Sequence, residues 1–143
     1  MLLALLIGAG TLLLSVLFNG MATALIVRLL RRLTRAGHPA PGFWMDVAVM
    51  MAVTLITAAA HLIEIALWAV VLLLCGAIST FETVLECSAE NYTALGYGDV
   101  VLSERWRLLG PLEAINGLLL VGLSTAVMFA ALSRLIKTGF RCQ

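Results

Sequence analysis

Three long apolar stretches constrain this chain more than any other feature of its sequence. They run from about Leu2 to Leu30, from about Trp44 to Ala77, and from near Leu108 to Lys137. A helix that crosses the hydrocarbon core of a bilayer needs roughly 20 mostly apolar residues. Each stretch is long enough, so the sequence predicts three transmembrane helices.

The overall composition agrees with a protein that is embedded in a membrane. Hydrophobic residues make up 62% and charged residues 12% of the chain, whereas a soluble domain is about half apolar and about a quarter charged. This excludes a soluble enzyme and a nucleic-acid-binding protein, so neither nucleic acid nor a soluble substrate is an expected partner. Cys75, Cys87 and Cys142 lack metal-ligand spacing and predict neither a disulfide framework nor a zinc site.

Basic residues indicate how the spans are oriented. Seven of the nine Lys and Arg residues follow the first span or end the third, namely Arg28, Arg31, Arg32, Arg35, Arg134, Lys137 and Arg141. Because cytoplasmic segments carry an excess of Lys and Arg, we expect the C-terminus in the cytoplasm and the N-terminus outside. Two prolines and two glycines in residues 37–42 predict a loop after the first span. Gly139 is expected to end the third helix.

Residues 78–107, between the second and third spans, are too polar and too short for another crossing. They predict a re-entrant segment, which a bilayer tolerates only where protein or a water-filled cavity surrounds it. Ser79 and Glu82 have the spacing of a capping box, so a short helix is expected to start there and to run to about Thr93.

A glycine-rich sequence follows this short helix directly: Ala94, Leu95, Gly96, Tyr97, Gly98 and Asp99. The two glycines allow backbone conformations with positive φ that other residues resist. Such a run can turn successive carbonyl groups toward a common axis. Rings of backbone carbonyls can replace the water around a dehydrated cation.

The segment resembles the pore loop of the potassium channel superfamily, whose filter consensus is Thr-Val-Gly-Tyr-Gly-Asp. Gly96, Tyr97, Gly98 and Asp99 match that consensus position by position. The wider region resembles the small bacterial ion channel proteins, in which two helices flank a pore loop. The resemblance implies an all-α membrane protein whose pore is formed by four identical subunits in a bacterial inner membrane.

The resemblance also implies a division of the chain and an ion site. Residues 43–139 would form the pore domain, with an outer helix, a pore helix, a filter and an inner helix, and residues 1–36 would add one N-terminal transmembrane helix. Permeant K⁺ would bind the backbone carbonyls of Leu95, Gly96 and Tyr97, and no cofactor is expected. The bilayer and three further copies of the chain are the expected partners.

Two positions depart from the consensus. Ala94 stands where the family has threonine, and Leu95 stands where it has valine. In the family the threonine hydroxyl helps to form the innermost ion site, so Ala94 removes one hydroxyl per subunit there. We therefore expect a K⁺-conducting pore with a weakened inner site. A pore that passes Na⁺ and K⁺ alike is the alternative.

A second class of protein uses a similar motif, because intramembrane aspartyl proteases contain Gly-x-Gly-Asp. These enzymes need a second aspartate within the membrane. The other aspartate of this chain is Asp46, next to the predicted cytoplasmic loop. A channel is therefore expected rather than an enzyme.

The resemblance extends to residues around the filter. Glu90 falls where some small bacterial potassium channels have a glutamate that bonds the filter aspartate, so a brace between Glu90 and Asp99 is expected. A glutamate in a wet pocket is the alternative. Gly117 and Gly122 resemble the flexible glycines of the inner helix. They either bend during gating or allow close helix packing.

Ionisable and polar residues within the spans are costly and mark sites of interest. His61 and Glu64 are one turn apart and could pair with each other. Either these side chains make a satisfied polar contact with the short helix or the third span, or they act as a pH sensor. Glu113 and Asn116 share a face of the third span. That face either lines the ion pathway or meets the polar residues of the second span.

Overall fold

The structure, a computed structural model, describes residues 1–35 and 43–140, with side chains for 1–32 and 43–136. The predicted loop at residues 37–42 lies outside the described residues, as do Arg141 and Cys142. The side chains of Arg35 and Lys137 also lie outside them.

Four helices make up most of the described chain: α1 (Leu2–Arg35), α2 (Phe43–Leu74), α3 (Phe81–Tyr92) and α4 (Leu109–Phe140). No strand occurs among the described residues. Helices α1, α2 and α4 are long and apolar enough to cross a membrane, with candidate spans at Leu2–Arg32, Phe43–Leu74 and Leu109–Ile136. The predicted all-α architecture with three membrane helices is confirmed.

Helix α2 ends at Leu74 rather than near Ala77. Gly76 takes φ +64°, and the amides of Gly76 and Ala77 bond the carbonyls of Leu73 and Leu72 at 2.9 and 3.1 Å. These two bonds form a Schellman motif, in which a glycine in the left-handed conformation turns the chain so that two backbone amides bond the last carbonyls of the helix. Hydropathy alone overestimated the helix because the residues after this turn are apolar too.

Two predicted helix ends are wrong. Helix α3 begins at Phe81 with Thr80 at its N-cap, not with Ser79, and the Thr80 hydroxyl donates to the Thr83 hydroxyl at 2.7 Å instead of capping the backbone. Helix α4 continues to Phe140, so Gly139 does not end it. Glycine permits a left-handed helix end but does not impose one.

The helices pack into one bundle, in which α1 and α3 each contact both α2 and α4. Its apolar interior falls into two parts. The Trp68 cluster gathers buried residues near the start of α1, the end of α2, α3 and the start of α4: Ala4, Trp68, Ala69, Leu72, Val84, Cys87, Tyr92, Leu102, Trp106 and Leu109. The Val53 cluster lies at the other end of the bundle and consists of Ile26, Leu30, Val49, Val53 and Ala131.

In α1, α2 and α4 the buried polar side chains lie between the residues of these two clusters, and α3 adds Ser88. We call this group the polar layer, and its members are Thr11, Ser15, Asn19, Thr57, Glu64, Ser88, Glu113, Asn116 and Ser124. All four helices contribute to it. A layer of this kind is costly in a bilayer unless its groups satisfy one another, so its hydrogen bonds determine how the helices are held together.

Candidate functional site

Helix α3 delivers the glycine-rich segment through a tight turn. The amide of Ala94 bonds the Asn91 carbonyl at 2.9 Å, and the amide of Leu95 bonds the Glu90 carbonyl at 2.9 Å. Together they form a second Schellman motif, with Ala94 at φ 56° in the position that glycine usually occupies. The chain therefore leaves α3 abruptly rather than continuing its helix.

The segment after this turn has an alternating backbone. Gly96 takes φ 59° and Gly98 takes φ 83°, and Ala94 is the only non-glycine residue with positive φ in the described chain. Positive φ thus occurs at every second residue from 94 to 98. All residues from Ala94 to Asp99 are exposed, including 57% of Leu95 and 71% of Tyr97. The structure therefore presents this backbone at the surface of the protomer.

The predicted brace behind this segment is not formed within one protomer. Asp99 is exposed and Glu90 is half-buried. No hydrogen bond joins their side chains in the part of the chain that the structure describes. A brace between Glu90 and Asp99 stays a prediction.

Glu113 of α4 is completely buried and reaches α3. Its Oε1 lies 2.5 Å from the Ser88 hydroxyl, and the Asn91 side-chain amide donates to its Oε2 at 3.3 Å. The Ser88 hydroxyl also lies 2.8 Å from the carbonyl oxygen of Ile65 on α2. One carboxyl group thereby joins three helices.

His61 bonds α3 rather than its neighbour on α2. Its Nδ1 lies 2.9 Å from the Tyr92 hydroxyl, with the rings tilted at 57°. Burial raises the pKa of Tyr92, so its phenol stays protonated near neutral pH. The pairing of His61 with Glu64 that the spacing allows is not among the hydrogen bonds of the described residues.

Glu64 is completely buried, and neither of its carboxyl oxygens has a hydrogen-bond partner among the described residues. The Ser15 hydroxyl of α1 is likewise buried without a partner there. Both side-chain polar atoms of Asn116 and the indole nitrogen of Trp68 are also buried without a partner there. Within the polar layer, Glu113 is therefore hydrogen-bonded, whereas Ser15, Glu64 and Asn116 are buried without partners.

Glu113 and Asn116 lie inside the protomer, with at most 1% of either side chain exposed. The sequence left open whether this face of α4 lines the ion pathway or meets the second span. In the structure both side chains are buried within the helix bundle. The opposite face of α4 is apolar and exposed, with Ile115, Leu118 and Leu119 among its side chains.

Two glycines of α4 contact α3 closely. A methyl group on Gly110 would lie 3.3 Å from the Asn91 side-chain oxygen, and one on Gly117 would lie 2.8 Å from the Tyr92 carbonyl carbon and closer still to its oxygen. A methyl group on Gly122 would meet nothing within 4 Å. Gly117 thus allows close helix packing, and Gly122 has no such role within the protomer.

Asp46 and Asp99, the pair that a protease would need, lie at opposite ends of the bundle. Asp46 is one turn before Val49 of the Val53 cluster, whereas Asp99 precedes Val100, which packs against the Trp68 cluster. Within the described residues no group of three or more His, Cys, Asp or Glu side chains is arranged to hold a metal ion.

Sequence reasoning missed several members of this site. Thr11, Ser15 and Asn19 recur every four residues along α1 and form a buried polar stripe, which helical periodicity would have revealed. Ser88 and Tyr92 gave no such signal, because their partners lie more than 20 residues away in the chain.

These features define a helical membrane protein in which two long helices enclose a short one that carries an exposed glycine-rich segment. A model of the ion channel family matches residues 60–134, just over half of the chain. The chain therefore belongs to this two-helix ion channel family of the potassium channel superfamily. Comparison with curated proteins and with solved structures gave no match. Membership in this family supports a channel function for the chain and points away from an enzymatic one.

Proposed function

We propose that the chain forms a K⁺-conducting pore from four copies, with the backbone from Ala94 to Gly98 as its selectivity filter. The observation that carries this proposal is the positive φ at Ala94, Gly96 and Gly98, inside the region that the family model matches. Successive carbonyls of an ordinary strand point in opposite directions. A backbone that crosses to positive φ at every second residue is compatible with carbonyls that face one way, as ion coordination requires.

Helix α3 supports the same proposal as a pore helix. Its C-terminus lies directly before the filter segment, and a helix C-terminus carries a partial negative charge. Four such ends around one axis would favour a cation in the space between them. Its first-turn Glu82 and the following Glu86 are exposed, away from the contacts that hold the helix.

Exposure of the filter residues supports assembly. One chain supplies one carbonyl row, so a ring requires several copies. Leu95 and Tyr97 are exposed apolar side chains in the middle of the chain, and neighbouring copies would cover them. The exposed apolar face of α4 would then border the conduction pathway, with residues 43–139 as the pore domain and α1 packed outside it.

The arrangement of basic residues supports the expected orientation in a bacterial inner membrane. The Val53 cluster joins Ile26 and Leu30 of α1 to Ala131 of α4, so Arg28 and Arg134 lie at the same end of the bundle. By the positive-inside rule this end faces the cytoplasm, and the filter opens to the outside.

The reversal potential of the purified protein in planar bilayers, with K⁺ on one side and Na⁺ on the other, tests this function. A potential near the K⁺ equilibrium value would support the carbonyl filter. A clear current that reverses near zero would favour the non-selective pore, for which the missing hydroxyl at Ala94 is the specific reason.

Gly96→Val, which places a β-branched residue at positive φ, should abolish the current. Gly20→Val, on an open face of α1, is the matched control.

A further inference from the structure

Glu113 has no hydrogen bond with the residues from Ala94 to Asp99 in the described chain, yet it bonds the helix that carries them. Along α4 it lies three residues after Gly110 and four before Gly117, the two glycines that touch α3. Its carboxyl group therefore sits between two close contacts of the same interface. None of this side chain is exposed to solvent.

The hydrogen bonds of Ser88 determine the state of this carboxyl group. A hydroxyl group has one hydrogen, and a backbone carbonyl has none. Ser88 lies within donating distance of two acceptors, the Ile65 carbonyl at 2.8 Å and Glu113 Oε1 at 2.5 Å, and its one hydrogen can serve one of them. When that hydrogen bonds the Ile65 carbonyl, which can only accept, the contact with Glu113 needs a hydrogen from the carboxyl group. The other carboxyl oxygen accepts from the Asn91 amide.

From this geometry we propose that Glu113 is a proton-binding site: as a neutral carboxylic acid it ties α3 to α2 and α4 and so positions the filter segment. The proton is its ligand, and Glu113 is a positioning residue because it touches neither the filter nor the ions. The role in filter positioning rests on the proposed channel function. The protonated state rests on the hydrogen-bond geometry alone.

Loss of this proton would weaken the tie in two ways. The donor to Ser88 would disappear, and an ionised carboxylate would stand in a buried, low-dielectric interface without a counter-charge. The titratable groups that face this region are His61 and Glu64 from α2 and Cys87, Glu90 and Tyr92 from α3. Helix α1 contributes hydroxyl and amide groups to the polar layer. None of these neighbours is a fixed cation, so nothing there would compensate the charge.

Glu113→Gln tests the proposal, because a neutral amide can donate to Ser88 through its nitrogen and accept from Asn91 through its oxygen. We expect this variant to conduct as the wild type does near neutral pH. As the pH is raised, the wild-type K⁺ current in liposomes should fall and the current of Glu113→Gln should not. Glu113→Ala, which removes both bonds, should reduce the current about tenfold or more, as expected for the loss of buried hydrogen bonds.

An infrared spectrum gives a readout that does not depend on ion flux. A protonated carboxyl group has its own carbonyl stretching band, and the part that belongs to Glu113 is the part lost in Glu113→Gln. Glu64→Gln and Glu86→Gln serve as controls for a second buried acid and for an exposed one.

The outcomes separate this proposal from the channel function. A Glu113 band at neutral pH, with a pH-dependent current that Glu113→Gln makes flat, is the expected result. Absence of the band, or equal pH profiles for the wild type and Glu113→Gln, would overturn the proposal. A Glu113 band in a protein that conducts neither ion would support the proton site and refute the channel function.

Discussion

Replacing Gly117 by alanine tests whether α3 is held as closely to α4 as the structure shows. The added methyl group would lie 2.8 Å from the Tyr92 carbonyl carbon and 3.2 Å from its Cα. Carbon atoms attract best at about 3.5–4.0 Å, so the two helices must move apart. The obstacle is backbone, which cannot rotate away as a flexible side chain can.

The expected loss follows from two opposing effects. Overpacking a close contact costs about 1–3 kcal/mol, whereas Gly→Ala in a helix contributes up to about 1 kcal/mol in the other direction. Gly122→Ala has the second effect without the first, because nothing lies within 4 Å of that site. The difference between the two variants should therefore be about 1–3 kcal/mol, with Gly117→Ala the less stable.

Reversible unfolding in mixed detergent micelles measures this difference. Gly20→Ala on α1 is a second control, also in open space, in case neighbouring copies approach Gly122. A Gly117→Ala protein that is as stable as both controls would refute the close packing of α3 on α4. It would also remove the geometric basis for the link through Glu113.

Three further predictions follow from single contacts. Because Ala94 has φ 56°, Ala94→Gly should not reduce the unfolding free energy, and Ala94→Thr should lower it by about 1–2 kcal/mol; equal stability of both variants in a thermal melt would contradict this backbone. In Tyr97→Phe the sole remaining tyrosine is Tyr92, and since burial raises its pKa, tyrosinate absorbance should not appear near pH 10 while the protein is folded. The stabilisation from this raised pKa is fully present below about pH 10 and is lost as the pH rises through the pKa of the folded state, so the free energy of unfolding should fall at still higher pH. Tyrosinate absorbance from folded protein near pH 10 would refute the burial of Tyr92. A double-mutant cycle of His61→Phe and Tyr92→Phe should give a coupling of about 0.5–1.5 kcal/mol for their hydrogen bond, and a coupling of zero would mean that the bond does not form.

The sequence by itself determined the membrane class, the three spans and the position of the short helix. These features depend on local properties, namely the length of apolar runs and the interruption between them. The glycine-rich segment was also recognisable, because Gly96, Tyr97, Gly98 and Asp99 match a known motif in order. Helix ends were less certain, since Gly139 and Ser79 permit an end without imposing one.

Only the tertiary structure decided which polar groups meet. His61 and Glu64 are one turn apart on one helix, yet His61 bonds Tyr92 and Glu64 has no hydrogen-bond partner among the described residues. Glu113 finds Ser88, 25 residues earlier in the chain. Helical periodicity specifies the face on which a side chain lies but not the helix that covers that face. The partner depends on how the helices pack, and that packing depends on close contacts such as the one between Gly117 and Tyr92.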